Sequence, residues 1–364
     1  MIGATLSDLG LLVPELILVG MASMLVLAAR RIQRAPVAVV GTVLAALAAT
    51  LVAGWDLSGG ARTGFGGMIT LDGYSQFFKV LIGVTLALAA LLSVRSIDRD
   101  QVPRAEYHVL LLLASTGMML AVSALDLLVV YLGLELMTIC SYILVGIRVE
   151  RPTSNEAATK YFLLSSFASA LLLYGISLTY GVTGSTDFSA IAWALSEQDT
   201  GSNPLLLAAI GLVAAGLAFK VSAVPFHAWV PDTYQGASAP VAAFLAAGSK
   251  AAGLAVLGRV CLVAFGSEAH VLSVFLAGLA ALSIVVGSFI ALSQTDMKRL
   301  LAYSSITHVG YALLGLMAGT SDGVSATMMY AFFYVFMTLG TFGVIIGLGE
   351  RGEHLDGYRG LASQ

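Results

Sequence analysis

Long apolar runs separated by short polar segments fill nearly the whole chain, and no two-residue alternation appears inside the runs. A helix needs about 20 such residues to cross the roughly 30 Å hydrocarbon core of a bilayer. Continuous runs without alternation favour helices over a membrane β-barrel. Divided at that length, the chain predicts eleven spans: Leu9–Ala29, Ala35–Gly54, Tyr74–Val94, Tyr107–Ala124, Leu127–Ile147, Asn155–Gly181, Pro204–Trp229, Ala239–Leu262, Val271–Ser293, Leu300–Ala318 and Val324–Leu348. Val182–Asn203 is the longest polar interruption. Within it Ser185-Thr186-Asp187 is suited to cap a short helix through Leu195, with Trp193 at the interface, although a plain loop reads equally well. The expected fold is all-α and polytopic, a single membrane domain over residues 1–364.

Basic residues fall on alternate connections. Arg30, Arg31 and Arg34 follow the first span, Arg95, Arg99 and Arg104 the third, and Arg148, Arg151 and Lys160 the fifth. Lys298 and Arg299 follow the ninth, Arg351 and Arg359 the eleventh. Val182–Asn203 carries Asp187, Glu197 and Asp199 but no Lys or Arg, and only Arg62, Lys79 and Arg259 are placed on or near that opposite side. The positive-inside rule then puts the N-terminus outside and the ends of odd-numbered spans in the cytoplasm. That is a multi-pass protein of a bacterial inner membrane with a periplasmic N-terminus. Met1–Asp8 has no basic stretch ahead of the first apolar run, so no cleavable signal peptide is expected.

Composition narrows the function classes. Of 364 residues 58% are hydrophobic and 11% charged, against about 25% charged in a soluble domain. A net charge of −3 argues against nucleic acid as a partner. Cys140 and Cys261 lie inside apolar runs and read as core or lipid-facing residues, not a disulfide framework. There is no G-x-G-x-x-G after a strand, no Walker A sequence, no cysteine cluster for Fe–S and no paired histidines for haem. The chain is expected to carry no redox cofactor and no metal; it moves something and does not itself oxidise it.

A few ionisable residues remain inside the apolar spans. Glu135 lies in LVVYLGLELMTICSYILVGI, Lys220 in LVAAGLAFKVSAVPFHAW and Lys250 in VAAFLAAGSKAAGLAVLGRV; Asp126, Lys160 and His308 are nearer span ends. A charge near the bilayer centre costs about 2.5–3.5 kcal/mol, so Glu135, Lys220 and Lys250 must face one another, backbone carbonyls or internal water. Burial weakens a lysine's hold on its proton and a neighbouring carboxylate restores it, so a lysine whose carboxylate partner approaches or recedes is a proton switch. A fixed Glu–Lys pair that only ties helices together is the plainer reading. The extra lysine in a separate span argues against it, because it adds cost without structural gain.

Pro225 lies five residues after Lys220. Proline in a helix removes a hydrogen bond and clashes with the preceding turn, at about 3 kcal/mol or more, and transporters place such breaks beside ion sites. A simple kink, or a helix end before a Pro231-Asp232 turn, is the alternative. His227, near the cytoplasmic end of the same span, is placed to feed protons inward, and His308 to extend a polar axis toward later helices. For these two, and for Tyr142, a satisfied core residue is the commoner role.

These residues sit in recognisable surroundings. FKVSAVPFHAWVPDTYQGASAPVAAFLAAGSKAAGLAVLGRV resembles the broken seventh helix and following eighth helix of the antiporter-like (Mrp-related) membrane subunits of complex-I-type NADH:quinone oxidoreductases. DTYQGASAPVAAFL, EAATKYFLLSSFASALLLYGISLTYGVTGSTDF and SQTDMKRLLAYSSITHVGYALLG are similar to the subunit N branch more than to subunits L or M, and the resemblance runs from about Asp72 to Leu348. It implies a proton-translocating subunit in which Glu135 is the fifth-helix glutamate, Lys220 the broken-helix lysine, Lys250 the eighth-helix lysine leading to a central axis and Lys160 a sixth-helix lysine. It also implies subunits M, K and J and their relatives as partners, with flavin, Fe–S centres and quinone held in partner subunits. The family fold has fourteen helices with two inverted five-helix repeats. Residues 1–106 would then be helices 1–3, 107–262 the first repeat and 263–364 a truncated second repeat, whose broken helix and outward exit fall beyond Gln364. Two other readings stand beside this one: a Mrp-type cation/proton antiporter or membrane hydrogenase subunit, and a scaffold that carries no protons.

Overall fold

The computed structural model describes residues 6–29, 35–57, 59–100, 102–197 and 203–361. Among them eleven helices are long and apolar enough to cross a membrane: α1 (Gly10–Ala28), α2 (Val37–Asp56), α3 (Gly73–Ile97), α4 (Arg104–Ser123), α5 (Leu127–Val145), α6 (Pro152–Thr183), α7 (Pro204–Val221), α8 (Ala239–Ala264), α9 (Gly266–Ala291), α10 (Met297–Met317) and α11 (Ser321–Glu353). Each predicted span finds its helix. Arg30, Arg31, Arg34 and Asp199 lie outside the described residues.

Side-chain size sets how the helices meet. A Cβ on Gly117 of α4 would come within 2.6 Å of the Gly133 carbonyl on α5, and one on Gly133 within 2.8 Å of the Gly117 carbonyl, so two backbones touch where neither residue has a side chain. The same device brings α6 against α7, where a Cβ on Gly175 would meet Val213 N at 2.7 Å. The centre belongs to α8. Its most apolar window is 100% buried, against 33% for α1 and 28% for α9, and α3, α4, α7, α10 and α11 surround it. Cys140 and Cys261 are free and buried in this packing.

Contacts between connections separate the two faces of the molecule. On one, Arg148 donates to the Gly236 carbonyl at 2.8 Å, Lys298 to the Ala237 carbonyl at 3.1 Å and Arg299 to Asp232 at 2.6 Å, while Asp296 bridges His354. On the other, strands β1 (Arg62–Gly64) and β2 (Ile69–Leu71) form an antiparallel hairpin, and Leu125 N donates to the Met68 carbonyl at 2.8 Å. Arg259 makes two 2.8 Å bonds to Asp72, which also caps α3. The basic and hairpin faces therefore alternate as the positions of Arg148, Lys298, Arg299, Arg62 and Arg259 predict. Lys79 is the exception. It lies toward the hairpin side of α3, six residues from that end, but is fully buried within the bundle.

The Val182–Asn203 connection does fold into a short helix, Phe188–Ser196, on the hairpin face. Asp187 caps it by accepting from Ala190 N at 2.9 Å, whereas Thr186 turns away and donates to Asp126 at 2.6 Å. Trp193 stands 69% exposed, as an interfacial tryptophan should.

Candidate functional site

Helix α7 starts on a cap, Asn203 accepting from Leu205 N at 3.1 Å, with Pro204 in the first turn where a missing N–H costs nothing. It stops at Val221, one residue after Lys220. Ser222 takes a left-handed conformation with φ 69°, and Ala223 N closes back on the Ala218 carbonyl at 2.9 Å. A non-glycine residue in that region costs about 1–2 kcal/mol. The chain crosses a cis Val224-Pro225 bond and resumes as the helix Trp229–Gly236. The break expected at Pro225 is present but begins three residues earlier, so the predicted span Pro204–Trp229 is a helix plus a turn. Pro231-Asp232, read as a possible turn, lies inside the second half-helix. Two side chains tie the break down: Ser283 of α9 accepts from Val224 N at 2.9 Å, and Trp229 Nε1 donates to the Phe219 carbonyl at 3.2 Å.

Lys220 points from the end of α7 into a ring of acceptors. Its Nζ lies 3.2 Å from Glu135 Oε1 on α5, and donates to Thr138 at 3.0 Å, Ser169 at 3.2 Å and Ser165 at 3.5 Å. Ser169 in turn donates to Glu135. The lysine is 3% exposed and the glutamate 20%. The amine therefore has three neutral hydroxyls beside the carboxylate.

Lys250 is fully buried and has no such anion among the described residues. Its Nζ donates to Ser222 Oγ at 2.7 Å and to the Val221 carbonyl at 3.2 Å, and lies 5.8 Å from the centre of the Trp229 ring. The residues freed by the break are thus those that hold the second lysine. The chain of contacts runs Glu135, Lys220, Val221-Ser222, Lys250. A π-helical turn, Leu245–Ser249, immediately precedes Lys250, a form of irregularity common at functional positions. Trp229 stacks on Tyr161 at 4.5 Å and on Phe219 at 5.6 Å, forming an aromatic layer beside both lysines.

The other expected residues are dispersed. Pro225 is exposed and borders an apolar groove with Phe167, Phe226 and Ala228, walled by Phe219 and Trp229. His227 is half-buried and its Nδ1 makes no hydrogen bond. His308 on α10 sits 2.5 Å from Tyr330 OH in a cluster with Tyr311 and Tyr334. Tyr142 is buried edge-on to Tyr161 at 4.8 Å. Lys160 lies at the basic face, paired with Glu156 at 2.7 Å and Asp232 at 3.0 Å, in a polar vestibule of about 470 Å³ that also contains Gln235, Asp296 and Arg299. Burial alone would push the Asp232 carboxyl up, but hydrogen bonds from Arg299 and Lys160 hold it below its ordinary value. Among the described residues no group of three or more His, Cys, Asp or Glu side chains is placed to hold a metal.

Three features carried no usable signal in the sequence. The hydroxyl ring of Thr138, Ser165 and Ser169 needs α5, α6 and α7 packed before it exists. Glu15, inside α1, meets Lys79 of α3 at 2.8 Å. His108 is fully buried in α4 with neither ring nitrogen hydrogen-bonded.

Known proteins resemble this chain in sequence and fold. Residues 124–363 match the family model described as NADH:quinone oxidoreductase/Mrp antiporter, TM. NADH-quinone oxidoreductase subunit N of Desulfovibrio desulfuricans is 44% identical, over 99% of this chain and 74% of its own length. A chain of respiratory complex I from Thermus thermophilus is 34% identical with a TM-score of 0.74, over 92% of this chain and 70% of that one. A chain of the Mrp complex from a Dietzia species, 21% identical with a TM-score of 0.78 over 93% of this chain and 64% of that one, shares the fold.

Proposed function

Because the chain belongs to the NADH:quinone oxidoreductase/Mrp antiporter family of membrane subunits, we propose that it works as a proton-translocating subunit of an NADH:quinone oxidoreductase through Glu135, Lys220 and Lys250. It is a multi-pass membrane protein and assembles with other membrane-arm subunits of complex I, where it takes the place of subunit N. Flavin, Fe–S centres and quinone belong to partner subunits, and this chain moves protons without a redox group of its own. The basic face is cytoplasmic and the N-terminus periplasmic, as the distribution of Arg148, Lys298 and Arg299 supports.

One observation carries the reading: two buried amines share a helix break, one with a carboxylate partner and one without. Quinone reduction elsewhere in the complex alters the field along the membrane arm and moves Glu135 relative to Lys220. When Glu135 approaches, the ammonium form of Lys220 is favoured; when it recedes, Ser165, Ser169 and Thr138 hold the nitrogen while the proton passes toward Lys250 through internal water. Lys250, held by neutral oxygens, receives it and passes it on. His308 continues the axis, and Lys160 and His227 serve the cytoplasmic approach. The division into three N-terminal helices, a first repeat over 107–262 and part of a second repeat follows from the same family fold.

Glu135→Ala and Lys220→Ala should each lower proton pumping and coupled quinone reductase activity while the complex still assembles. Wild-type turnover and pumping in both would reject the assignment.

A further inference from the structure

The three helices ahead of α4 hold a second acid–amine pair outside the Glu135–Lys220–Lys250 group. Glu15 of α1 and Lys79 of α3 meet at 2.8 Å, with side chains 5% and 0% exposed. Their surroundings differ from those of Lys220, whose nitrogen has a carboxylate and three hydroxyls to donate to. Both carboxylate oxygens of Glu15 and Lys79 Nζ make no hydrogen bond, so the pair is close without being aligned. One turn before Lys79, the buried amide of Gln76 has neither its nitrogen nor its oxygen bonded.

Such a pair does not serve packing well. A buried ion pair offsets its desolvation only when its remaining donors and acceptors are filled, and apolar side chains of the same volume are often as stable or more so. Gln76 and Lys79 are three residues apart on one face of α3, and neighbouring unfilled donors and acceptors are what an internal water binds. The location is also specific. Glu15 and Lys79 lie five and six residues from the hairpin-side ends of their helices, roughly 8–9 Å along each axis. Helix α3 runs against α8, Tyr74 OH donating to the Ala255 carbonyl at 2.9 Å, so the pair is one helix removed from the element that carries Lys250.

We propose that Glu15, Lys79 and Gln76 form a further proton-holding site that exchanges protons with the aqueous phase on the hairpin side. Loading forms an O–H bond on Glu15 with a proton from hydronium, leaving water behind and Lys79 as an ammonium. Release breaks that O–H bond and returns the proton to water, so no other reactant is consumed. The inference rests on the proton-translocating reading above.

The test uses the assembled complex in vesicles, measuring protons moved per quinone reduced and the amount of intact complex. The variants are Glu15→Gln, the double variant Glu15→Leu/Lys79→Met, and Glu135→Gln in parallel. Both Glu15 variants should assemble normally and move fewer protons per quinone, by about twofold or more. Normal stoichiometry in both, beside a defective Glu135→Gln, overturns this site alone. So does an assembly defect in Glu15→Gln that the apolar double variant repairs together with full pumping. Normal pumping in Glu135→Gln overturns the parent reading instead.

Discussion

At the scale of single residues, the two lysines differ in what removal leaves behind. Taking away Glu135 leaves Lys220 charged among three hydroxyls, and breaking a buried pair in this way costs about 3–5 kcal/mol. Lys250 has the neutral contacts of Ser222, the Val221 carbonyl and the Trp229 ring to lose, and no buried carboxylate is left unpaired. Lys250→Met should therefore keep the thermal midpoint of the purified complex close to wild type while proton pumping falls roughly tenfold or more; a variant that melts early and pumps normally would contradict this. Ser169 both donates to Glu135 and accepts from Lys220. Ser169→Ala should slow pumping and destabilise by about 1.5–3 kcal/mol, as for hydrogen bonds to charged groups, read from the same two measurements. Glu135, Lys220 and Lys250 were legible in the sequence because a charge in the middle of an apolar run has no other explanation than an internal partner. Ser165, Ser169 and Thr138 were not, since serine and threonine are common in membrane helices and become ligands only when three helices converge. Lys79 lies close enough to a span end to read as interfacial; only the packing of α1 and α3 on the shared neighbours α2 and α4 brings it to Glu15. Lys160 matched the expected helix, yet it projects into the vestibule at the basic face instead of joining the buried lysines.

At the scale of elements, the broken α7 is the part that function depends on, and its geometry rests on neighbours. Ser283 of α9 holds Val224 N, which has no helical carbonyl to reach. Ser283→Ala should leave that buried N–H unpaired, costing about 1–3 kcal/mol, and speed hydrogen exchange at Val224 while the Glu135–Lys220 contact persists. Unchanged exchange there would mean that the turn holds its shape unaided. The sequence marked the break through Pro225 but put it three residues late, because what ends the helix is the left-handed Ser222 and the Ala223–Ala218 bond, not the ring of the proline. Span count and alternation of faces were legible because length and basic residues encode them directly. The centrality of α8 was not, since a run containing Lys250 and Arg259 looks less buried than its neighbours although every residue in its apolar window is covered.

At the scale of the whole molecule, the connections are fastened by carboxylates whose charge matters. Asp232 is half-covered and held below its ordinary value of 3.8 by Arg299 and Lys160 against the upward push of burial; Asp72 is likewise held low by Arg259. A carboxyl whose folded value is depressed stabilises fully above its unfolded value and loses that contribution as pH falls through the folded one. The purified protein should thus hold its melting temperature down to about pH 4 and lose it below. Asp232→Asn and Asp72→Asn should each melt earlier at neutral pH and show a flatter acid limb in the same scan. The enclosure of α8 has a consequence for biogenesis. A segment bearing Lys250 and Arg259, with mean hydropathy 1.6 against 2.4 for α9, gains little from lipid and much from neighbours already in place. As the ribosome delivers it, this helix depends on a socket from α3, α4 and α7, so its insertion becomes a checkpoint before α9, α10 and α11 are made.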